Sequence, residues 1–339
     1  MTSSINVGLI GAGRIGRVHA ENLAYRIHDA NLAVVADVII ENANKCAADF
    51  RIPSVAPDPA AIFADDSIDA VLICSSTDTH ASLIIAAAQA GKHIFCEKPV
   101  ALNLEKFDKA LEAVEQAGVK LQIGFNRRFD PNFKQARQLV ADGKIGTPHI
   151  VRITSRDPAP PPIEYIKVSG GIFLDMTIHD FDMARYLIAD EVEEVYATGG
   201  VMVNPAIGEA GDIDTAVVTL RYAGGAIGVI DNSRQAVYGY DQRVEVFGSA
   251  GAVVVSNNTP NHAVLSNIEG VHSAKPLYFF LERYTESYVA EMKAFIETIQ
   301  QDTEPPITGF DGRIPIVMGL AAWKSYRENR PVRLEEVQN

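Results

Sequence analysis

Three glycines near the start of the chain have the spacing most informative about chemistry. In the run GAGRIG, Gly11 permits a tight turn, Gly13 lets the backbone approach a pyrophosphate, and Gly16 lets a helix pack close to a strand. Apolar residues before the run predict a strand and those after it predict a helix, whose first backbone amides would face the anion. The run therefore predicts a dinucleotide site that includes Gly11, Gly13, Arg14 and Ile15.

An acidic residue stands where this kind of site places one. Asp37 closes the second predicted strand, at residues 32–38, about 20 residues beyond the glycines. A carboxylate in this position accepts hydrogen bonds from the adenosine ribose hydroxyls and repels a 2′-phosphate. The sequence therefore predicts NAD as the cofactor, in preference to NADP.

Two more polar segments follow apolar runs that predict strands. One follows residues 70–74 and the other follows residues 93–96, so both are expected at the carboxyl edge of the sheet, where ligands of such folds bind. Helix capping by Thr77 or Asp78 is an alternative role for the first segment. The residues predicted to contact the cofactor from these segments are Ser75, Ser76, Thr77, His80, Glu97, Lys98 and Pro99.

A carboxylate and an imidazole lie four residues apart after the flexible pair at residues 170–171. On one predicted helix Asp175 and His179 would share a face. A carboxylate beside an imidazole fixes its tautomer and stabilises its cation, as a general base for an alcohol proton requires. The alternatives are a helix cap with a buried histidine, or a metal site that adds Asp182. No other His or Cys has a spacing typical of metal ligands, so no metal is expected.

Length and charge limit the class of protein. A chain of 339 residues predicts two domains, and a formal net charge of −13 argues against a nucleic-acid partner. No apolar run is long enough to cross a membrane, and the opening residues 1–6 lack the pattern of a secretory leader. Three cysteines without CxxC spacing indicate core thiols. These features predict a cytoplasmic protein without a membrane partner.

The pattern of predicted elements changes after residue 124. Residues 1–124 alternate near-continuous apolar strands with helices, which predicts an N-terminal parallel sheet covered on both faces. Residues 125–339 carry longer strands with alternating burial and glycine-containing turns at residues 224–225 and 249–251. The expected fold is α/β, with a Rossmann domain at 1–124 and an α+β domain, built on a largely antiparallel open sheet, at 125–339.

Six segments together resemble one known family. They are GLIGAGRIG, SSTDTHA, CEKPVAL, GFNRRFDP, TSRDPAPPP and GGIFLDMTIHDFDMARYL, and the likeness runs over about residues 5 to 330. They resemble the Gfo/Idh/MocA oxidoreductases, most closely the inositol dehydrogenase branch. The resemblance implies a homotetramer packed through the second-domain sheets, in addition to the fold expected above.

The resemblance also implies roles for individual residues. Lys98, Asp175 and His179 match the family's catalytic lysine, aspartate and histidine. Asp157 departs from the asparagine common in some inositol dehydrogenases, which puts the preferred stereoisomer in doubt. The substrate-binding set implied in this way is Lys98, Arg127, Asp157, Asp175, His179, Tyr238 and Tyr240, with the two tyrosines expected at the end of a strand.

The expected function is NAD-dependent oxidation of a ring hydroxyl of a cyclic polyol. The first candidate reaction converts myo-inositol to 2-keto-myo-inositol, with His179 as the base. The alternatives are dehydrogenation of scyllo-inositol, glucose or an anhydrosugar, transient use of NAD in glycoside hydrolysis, and a non-catalytic NAD-binding regulatory protein.

Overall fold

The computed structural model describes residues 4–338, and the chain divides into two compact units. The first unit contains the chain up to Phe129 together with residues 286–314, and the second contains the rest. Residues 1–3, which belong to the stretch used to exclude a secretory leader, lie outside the described residues. The division differs from the single boundary predicted after residue 124, because Met292, Phe295 and Ile296 join the buried apolar cluster of the first unit.

The first unit contains a six-stranded parallel sheet in the order β3-β2-β1-β4-β5-β6. All four residues of its central strand β4 are buried, as expected for a sheet covered on both faces. The prediction of an N-terminal Rossmann sheet is confirmed. Its strands are β1 (Ile5–Ile10), β2 (Ala30–Ala36), β3 (Ser54–Val55), β4 (Ala70–Ile73), β5 (His93–Glu97) and β6 (Leu121–Gly124).

Helices connect these strands, and local signals set some of their ends. The side chain of Asn103 accepts a hydrogen bond from Lys106 N at 3.1 Å, and Gly118 ends the same helix in the left-handed conformation. The helices are α1 (Arg14–Tyr25), α2 (Ile40–Phe50), α3 (Pro59–Phe63), α4 (Thr77–Gln89) and α5 (Leu104–Ala117), followed by a 3-10 turn at Asn126–Phe129.

The second unit is built on a seven-stranded sheet in the order β12-β11-β7-β10-β9-β8-β15. Only β7 and β10 pair in parallel, so the expected largely antiparallel sheet is confirmed. The predicted turns join β9 to β10 and β11 to β12 as antiparallel neighbours. The strands are β7 (Pro148–Arg156), β8 (Val192–Gly200), β9 (Thr215–Tyr222), β10 (Ile227–Ser233), β11 (Asp241–Gly248), β12 (Gly251–Val255) and β15 (Val332–Arg333), and a separate hairpin consists of β13 (Val264–Asn267) and β14 (Gly270–Ser273).

Eight helices follow α5 among the described residues. The chain passes from the second unit to the first at Glu286, within α12, and returns to the second unit after Ile314, within α13. The helices are α6 (Pro131–Ala141), α7 (Ile163–Ile166), α8 (Ile172–Asp175), α9 (Ile178–Ile188), α10 (Pro205–Glu209), α11 (Phe280–Arg283), α12 (Thr285–Gln301) and α13 (Gly309–Glu328), and a 3-10 turn lies at Leu334–Val337.

The helices of residues 4–338 include no membrane-spanning segment. None of them combines the length and the apolar character that crossing a bilayer requires.

Candidate active site

The glycine turn after β1 has the backbone geometry that its spacing predicts. Gly11 has φ +97°, and a Cβ atom there would lie 2.6 Å from the backbone of Cys74 and Ser75. A Cβ atom on Gly16 would collide with the carbonyl oxygen of Gly11. A Cβ atom on Gly13 would meet no atom within 4 Å, so this stretch of backbone borders open space. The turn therefore leaves room for a phosphate group at Gly13, as the sequence predicts.

The start of α1 is suited to binding an anion. Gly13 occupies the N-cap position and contributes no capping side chain, and the first turn of the helix contains no acidic residue. Arg14 is exposed and Ile15 partly exposed at the same turn. The first backbone amides of the helix and the positive end of its dipole fit a pyrophosphate.

Asp37 anchors the glycine turn. Its Oδ2 accepts a hydrogen bond from Ala12 N at 2.7 Å and its Oδ1 accepts one from Ile39 N at 2.8 Å. Strand β2 ends at Ala36, so the prediction that the strand includes Asp37 and reaches Val38 is wrong; Val38 is fully exposed. Each carboxylate oxygen keeps a second lone pair, so Asp37 can hold the turn and accept from a ribose hydroxyl.

The segment after β4 forms the start of α4. The hydroxyl groups of Ser75 and Thr79 lie 2.7 Å apart, and Thr79 also donates to the carbonyl oxygen of Ser76 at 2.7 Å. Ser76 is the N-cap residue and Thr77 the first residue of the helix, so the alternative that Thr77 or Asp78 caps α4 is wrong. Ser75 and Thr77 are partly exposed and Ser76 is exposed. Their contacts with the cofactor stay a prediction.

His80 lies deeper than its neighbours, with 1% of its surface exposed. Its Nδ1 lies 2.8 Å from the carbonyl oxygen of Pro99, and its Nε2 lies 3.0 Å from that of Ser75. Burial lowers the pKa of the imidazole, and the two carbonyl groups oppose this effect. This geometry favours a role in holding the backbone, whereas the predicted contact of His80 with the cofactor stays untested.

The end of β5 and the residues that follow it also carry polar contacts. The Oε1 atom of Glu97 lies 2.7 Å from His19 Nε2, and the following Lys98–Pro99 peptide bond is cis. Lys98 is partly exposed. Arg127, in the 3-10 turn after β6, is buried, so a surface salt bridge does not explain it.

In the second unit, Asp175 and His179 lie on two helices. Asp175 ends α8, whereas His179 lies in the first turn of α9, so the prediction that both lie on one helix face is wrong. The amide of Thr177 reaches back five residues to the carbonyl oxygen of Ile172 at 2.9 Å, which marks the break. In residues 171–180 every residue is buried except Asp175 and His179, which are partly exposed. The break therefore still leaves both side chains accessible.

The carboxylate of Asp175 is held by partners that the sequence analysis missed. Its Oδ1 accepts a hydrogen bond from the hydroxyl of Tyr165 at 2.8 Å, and its Oδ2 accepts one from Arg234 Nη1 at 3.2 Å. The Arg234 side chain is 1% exposed and also lies 3.5 Å from Asp212. Burial lowers the pKa of this guanidinium, but the neighbouring carboxylates, Asp175 first, outweigh it and raise the pKa. Arg234 therefore carries a positive charge that balances Asp175.

A buried network supports α9 from the sheet. The hydroxyl of Thr177 donates to Asn232 Oδ1 at 2.6 Å, and Asn232 Nδ2 donates to Asp180 Oδ2 at 2.8 Å and to the carbonyl oxygen of Ser155 at 3.2 Å. Asn232 and Arg234 stand at the end of β10, where a polar run, DNSRQ, was the available signal in the sequence. The network fixes the start of the helix that carries His179.

Asp157 lies directly after β7, beside the end of β10. Its amide donates to the carbonyl oxygen of Ser233 at 2.9 Å, and its carbonyl oxygen accepts from Ala236 N at 2.6 Å. Its carboxylate is among those that raise the pKa of Arg234. The structure thus places Asp157 near the group that holds Asp175.

The two candidate tyrosines precede β11, so the prediction that they end a strand is wrong. The hydroxyl of Tyr238 donates to Asp241 Oδ2 at 2.6 Å and accepts from Arg156 Nη1 at 3.2 Å. Tyr240 is 6% exposed, and its ring packs against Tyr284 with 6.0 Å between centroids. Tyr238 is therefore the more accessible of the two.

The metal alternative finds little geometric support. Asp182 is fully buried, and Asp175 lies on a different helix from His179. Within residues 4–338 a different group of possible metal ligands lies close together: the ligand atoms of His19, Glu97 and Glu291 are within 4.8 Å of one another.

Two parts of the chain match models of known protein families. Residues 5–125 match a model described as an oxidoreductase family with an NAD-binding Rossmann fold, and residues 133–254 match the GFO/IDH/MocA C-terminal domain. The chain is 53% identical over 333 residues to a myo-inositol 2-dehydrogenase of Thermotoga maritima, which covers 98% of this chain and 99% of that protein. It is 46% identical over 332 residues to an inositol 2-dehydrogenase of Rhizobium meliloti, with 98% and 99% covered.

Solved structures show the same relationship. A probable dehydrogenase from Thermotoga maritima superposes with a TM-score of 0.97 at 53% identity, covering 98% of this chain and 100% of that one. A scyllo-inositol dehydrogenase from Lactobacillus casei, solved with NAD(H) and scyllo-inositol, superposes with a TM-score of 0.92 at 30% identity, covering 98% and 100%. With both domain models matched and these relatives aligned over nearly their full length, the chain belongs to the Gfo/Idh/MocA family of NAD-binding oxidoreductases.

Proposed function

We propose that this chain is an NAD-dependent dehydrogenase that oxidises a ring hydroxyl of myo-inositol to 2-keto-myo-inositol. The observation that carries the chemistry is the exposure pattern at α8 and α9, where Asp175 and His179 alone among residues 171–180 are accessible. The myo-inositol assignment is supported by the relative that is 53% identical over nearly the whole chain.

His179 is the proposed general base. It accepts the proton of the reacting hydroxyl while the hydrogen on the same carbon leaves as hydride, so that the carbinol becomes a ketone. Bound NAD⁺ would supply the hydride acceptor. Lys98 is proposed to stabilise the negative charge that develops on the reacting oxygen.

Asp175 is proposed to orient the imidazole or a substrate hydroxyl. Because Arg234 and Tyr165 already occupy its two oxygens, its net charge is partly balanced and its position is fixed. Arg127, Asp157, Tyr238 and Tyr240 are proposed as further polyol contacts.

The cofactor-binding residues are proposed as the glycine turn, Asp37 and the segments after β4 and β5. Asp37 supports a preference for NAD because its carboxylate borders the turn and would repel a 2′-phosphate. The full set is Gly11, Gly13, Arg14, Ile15, Asp37, Ser75, Ser76, Thr77, His80, Glu97, Lys98 and Pro99.

The decisive experiment follows NADH formation with myo-inositol, scyllo-inositol, glucose and an anhydrosugar. We expect wild-type turnover with myo-inositol, and a loss of at least about hundredfold in kcat for Lys98→Ala and His179→Ala. Lys106→Ala and His262→Ala, both at exposed positions, are the matched controls.

Each other outcome selects a rival. Faster turnover with scyllo-inositol or a sugar would replace the substrate but keep the chemistry. NAD binding without polyol-dependent NADH would favour a regulatory protein, and release of sugar without net NADH would favour glycoside hydrolysis. Full turnover in both Ala variants would contradict the assigned residues.

We further propose a homotetramer that forms through the open sheet of the second unit. Outward-facing residues include Phe247 and Ile227, which flank Ile150 in one row across the sheet. Exposed fractions are 46% for Phe247, 51% for Ile227 and 59% for Val254, an apolar surface of the kind that association buries. A cytoplasmic location is also proposed, since all three cysteines are free, buried thiols.

A further inference from the structure

Lys98 stands between two residues that are each held by a buried histidine. Glu97, immediately before it, has its carboxylate Oε1 at 2.7 Å from His19 Nε2. Pro99, immediately after it, has its carbonyl oxygen at 2.8 Å from His80 Nδ1. His19 is 0% exposed and His80 1% exposed, so neither ring is accessible from the protein surface.

The contact with His19 fixes the Glu97 carboxylate inside the first unit. The His19 ring packs edge-on against Phe95, with 5.0 Å between centroids, and against Tyr288 at 5.8 Å. Gly124 lies beside the carboxylate, and a Cβ atom there would approach Glu97 Oε2 to 3.0 Å. The Glu97 side chain is only 12% exposed, so its direction is set by these neighbours.

The contact with His80 joins the ends of two strands. The ring reaches the carbonyl oxygen of Ser75 after β4 with Nε2, at 3.0 Å, and that of Pro99 after β5 with Nδ1. A neutral imidazole donates only one of these hydrogen bonds, and the tautomer protonated on Nδ1 keeps the bond to Pro99. Asp78 and Glu97 are the charged groups that favour the protonated ring, while burial disfavours it.

We propose that His19 and His80 are positioning residues for Lys98. Each fixes the backbone on one side of this lysine. The Lys98 side chain therefore starts from a defined point just after β5 and in a defined direction. The inference rests on the proposed function, which assigns Lys98 to the reacting oxygen. A misplacement of about 1 Å in such a group costs about hundredfold in rate, so positioning has a kinetic signature.

Two matched substitutions separate the contacts of His80. The amide nitrogen of asparagine stands near the position of Nδ1, and that of glutamine near the position of Nε2. His80→Asn therefore retains a donor for Pro99, whereas His80→Gln retains one for Ser75. We expect His80→Gln to lose at least about tenfold more kcat than His80→Asn, with both measured at saturating NAD⁺.

A double-mutant cycle tests whether the effect passes through Lys98. In a Lys98→Met background, we expect His80→Gln to leave the residual rate unchanged, because the group that it positions is gone. An equal loss in both backgrounds would overturn the inference, as would equal kcat values for His80→Asn and His80→Gln. If Lys98→Met itself retains wild-type turnover, the assigned role of Lys98 in the proposed function fails instead.

Two substitutions of His19 test the same inference if urea unfolding shows that a His80 variant does not fold. His19→Gln keeps a donor near Nε2 for Glu97, and His19→Met removes it. A kcat that falls at least about tenfold further in His19→Met, at unchanged affinity for NAD⁺, supports positioning. Equal rates in the two variants, with Lys98→Met inactive, would contradict it.

Discussion

At the scale of single residues, the candidate site depends on an accessible carboxylate whose charge is balanced by a buried cation. Asp175 is the accessible carboxylate, but Arg234 is the buried cation that holds it, and Arg234 is further balanced by Asp212. Residue types and spacing indicated Asp175 and His179. They did not indicate Arg234, because its contact depends on where β10 ends relative to α8.

Replacement of this buried arginine should weaken the fold. Arg234→Met leaves Asp175 and Asp212 without their buried countercharge, so we expect a loss of about 3–5 kcal/mol in the free energy of unfolding. Arg152→Met is the control, since its contact with Glu245 is at 3.4 Å and its side chain is 59% exposed, which predicts a loss of about 0–1 kcal/mol. Urea unfolding measures both, and similar losses would contradict the assigned role of Arg234.

Asp37 should govern the choice of cofactor. Asp37→Asn removes the negative charge but keeps one oxygen to accept a backbone hydrogen bond. We expect the ratio of the Kd for NADP⁺ to that for NAD⁺ to fall about tenfold, equivalent to about 1.4 kcal/mol. Titration with each nucleotide measures the ratio, with Asp58→Asn, a helix cap outside the glycine turn, as the control. An unchanged ratio would show that another group selects the cofactor.

At the scale of elements, the open start of α1 is the feature most directly connected to function. Its N-cap is a glycine without a capping side chain, whereas α5 is capped by Asn103 and α6 by Asp130, whose side chains accept hydrogen bonds from the first turn. The start of α1 therefore has room for an anion that the capped starts of α5 and α6 lack.

Two glycines of the same turn provide a matched test of this element. Gly13 has φ −70° and open space around it, so Gly13→Ala should change the free energy of unfolding by less than about 1 kcal/mol yet weaken NAD⁺ binding at least tenfold, about 1.4 kcal/mol. Gly16→Ala should lower both the stability and the affinity for NAD⁺, because its Cβ atom would press on Gly11. The expected cost in the free energy of unfolding is about 1–3 kcal/mol. Thermal unfolding and NAD⁺ titration distinguish the two. Normal binding by Gly13→Ala would refute the assigned phosphate position.

Most elements could be predicted from the sequence because their signals are local. The turns predicted at residues 224–225 and 249–251 join β9 to β10 and β11 to β12 as antiparallel neighbours. The break between α8 and α9 was missed because the segment has helical periodicity, whereas the observed five-residue hydrogen bond at Thr177 depends on tertiary contacts such as that with Asn232. The contacts of His19 with Glu97 and of His80 with Pro99 were missed as well, since each joins residues distant in sequence.

At the scale of the whole molecule, apolar surface on the second-unit sheet supports self-association. Phe247→Asp together with Ile227→Asp places charges in the row that we propose to be buried between copies. We expect the variant to shift from tetramer to a smaller species in light scattering, with the fold retained by circular dichroism.

Ile268→Asp is the control, since this residue is fully exposed on the β13–β14 turn and lies outside the sheet. A wild-type mass for the Phe247 and Ile227 variant would rule out this sheet face as the interface. Loss of the tetramer in the Ile268 variant alone would move the interface to the hairpin.

The division into units was the largest feature that the sequence did not predict. Helices α12 and α13 have apolar faces, but periodicity does not show which sheet such a face contacts. Met292, Phe295 and Ile296 complete the core of the first unit from far along the chain.

This late contribution has a consequence during protein synthesis. The ribosome releases the glycine turn and all six strands of the first sheet long before it adds Met292. Until then, part of the core of the nascent first unit is uncovered. A premature stop codon before that point would remove Met292, Phe295 and Ile296 from the core of the first unit, even though every residue proposed to touch NAD had already been translated.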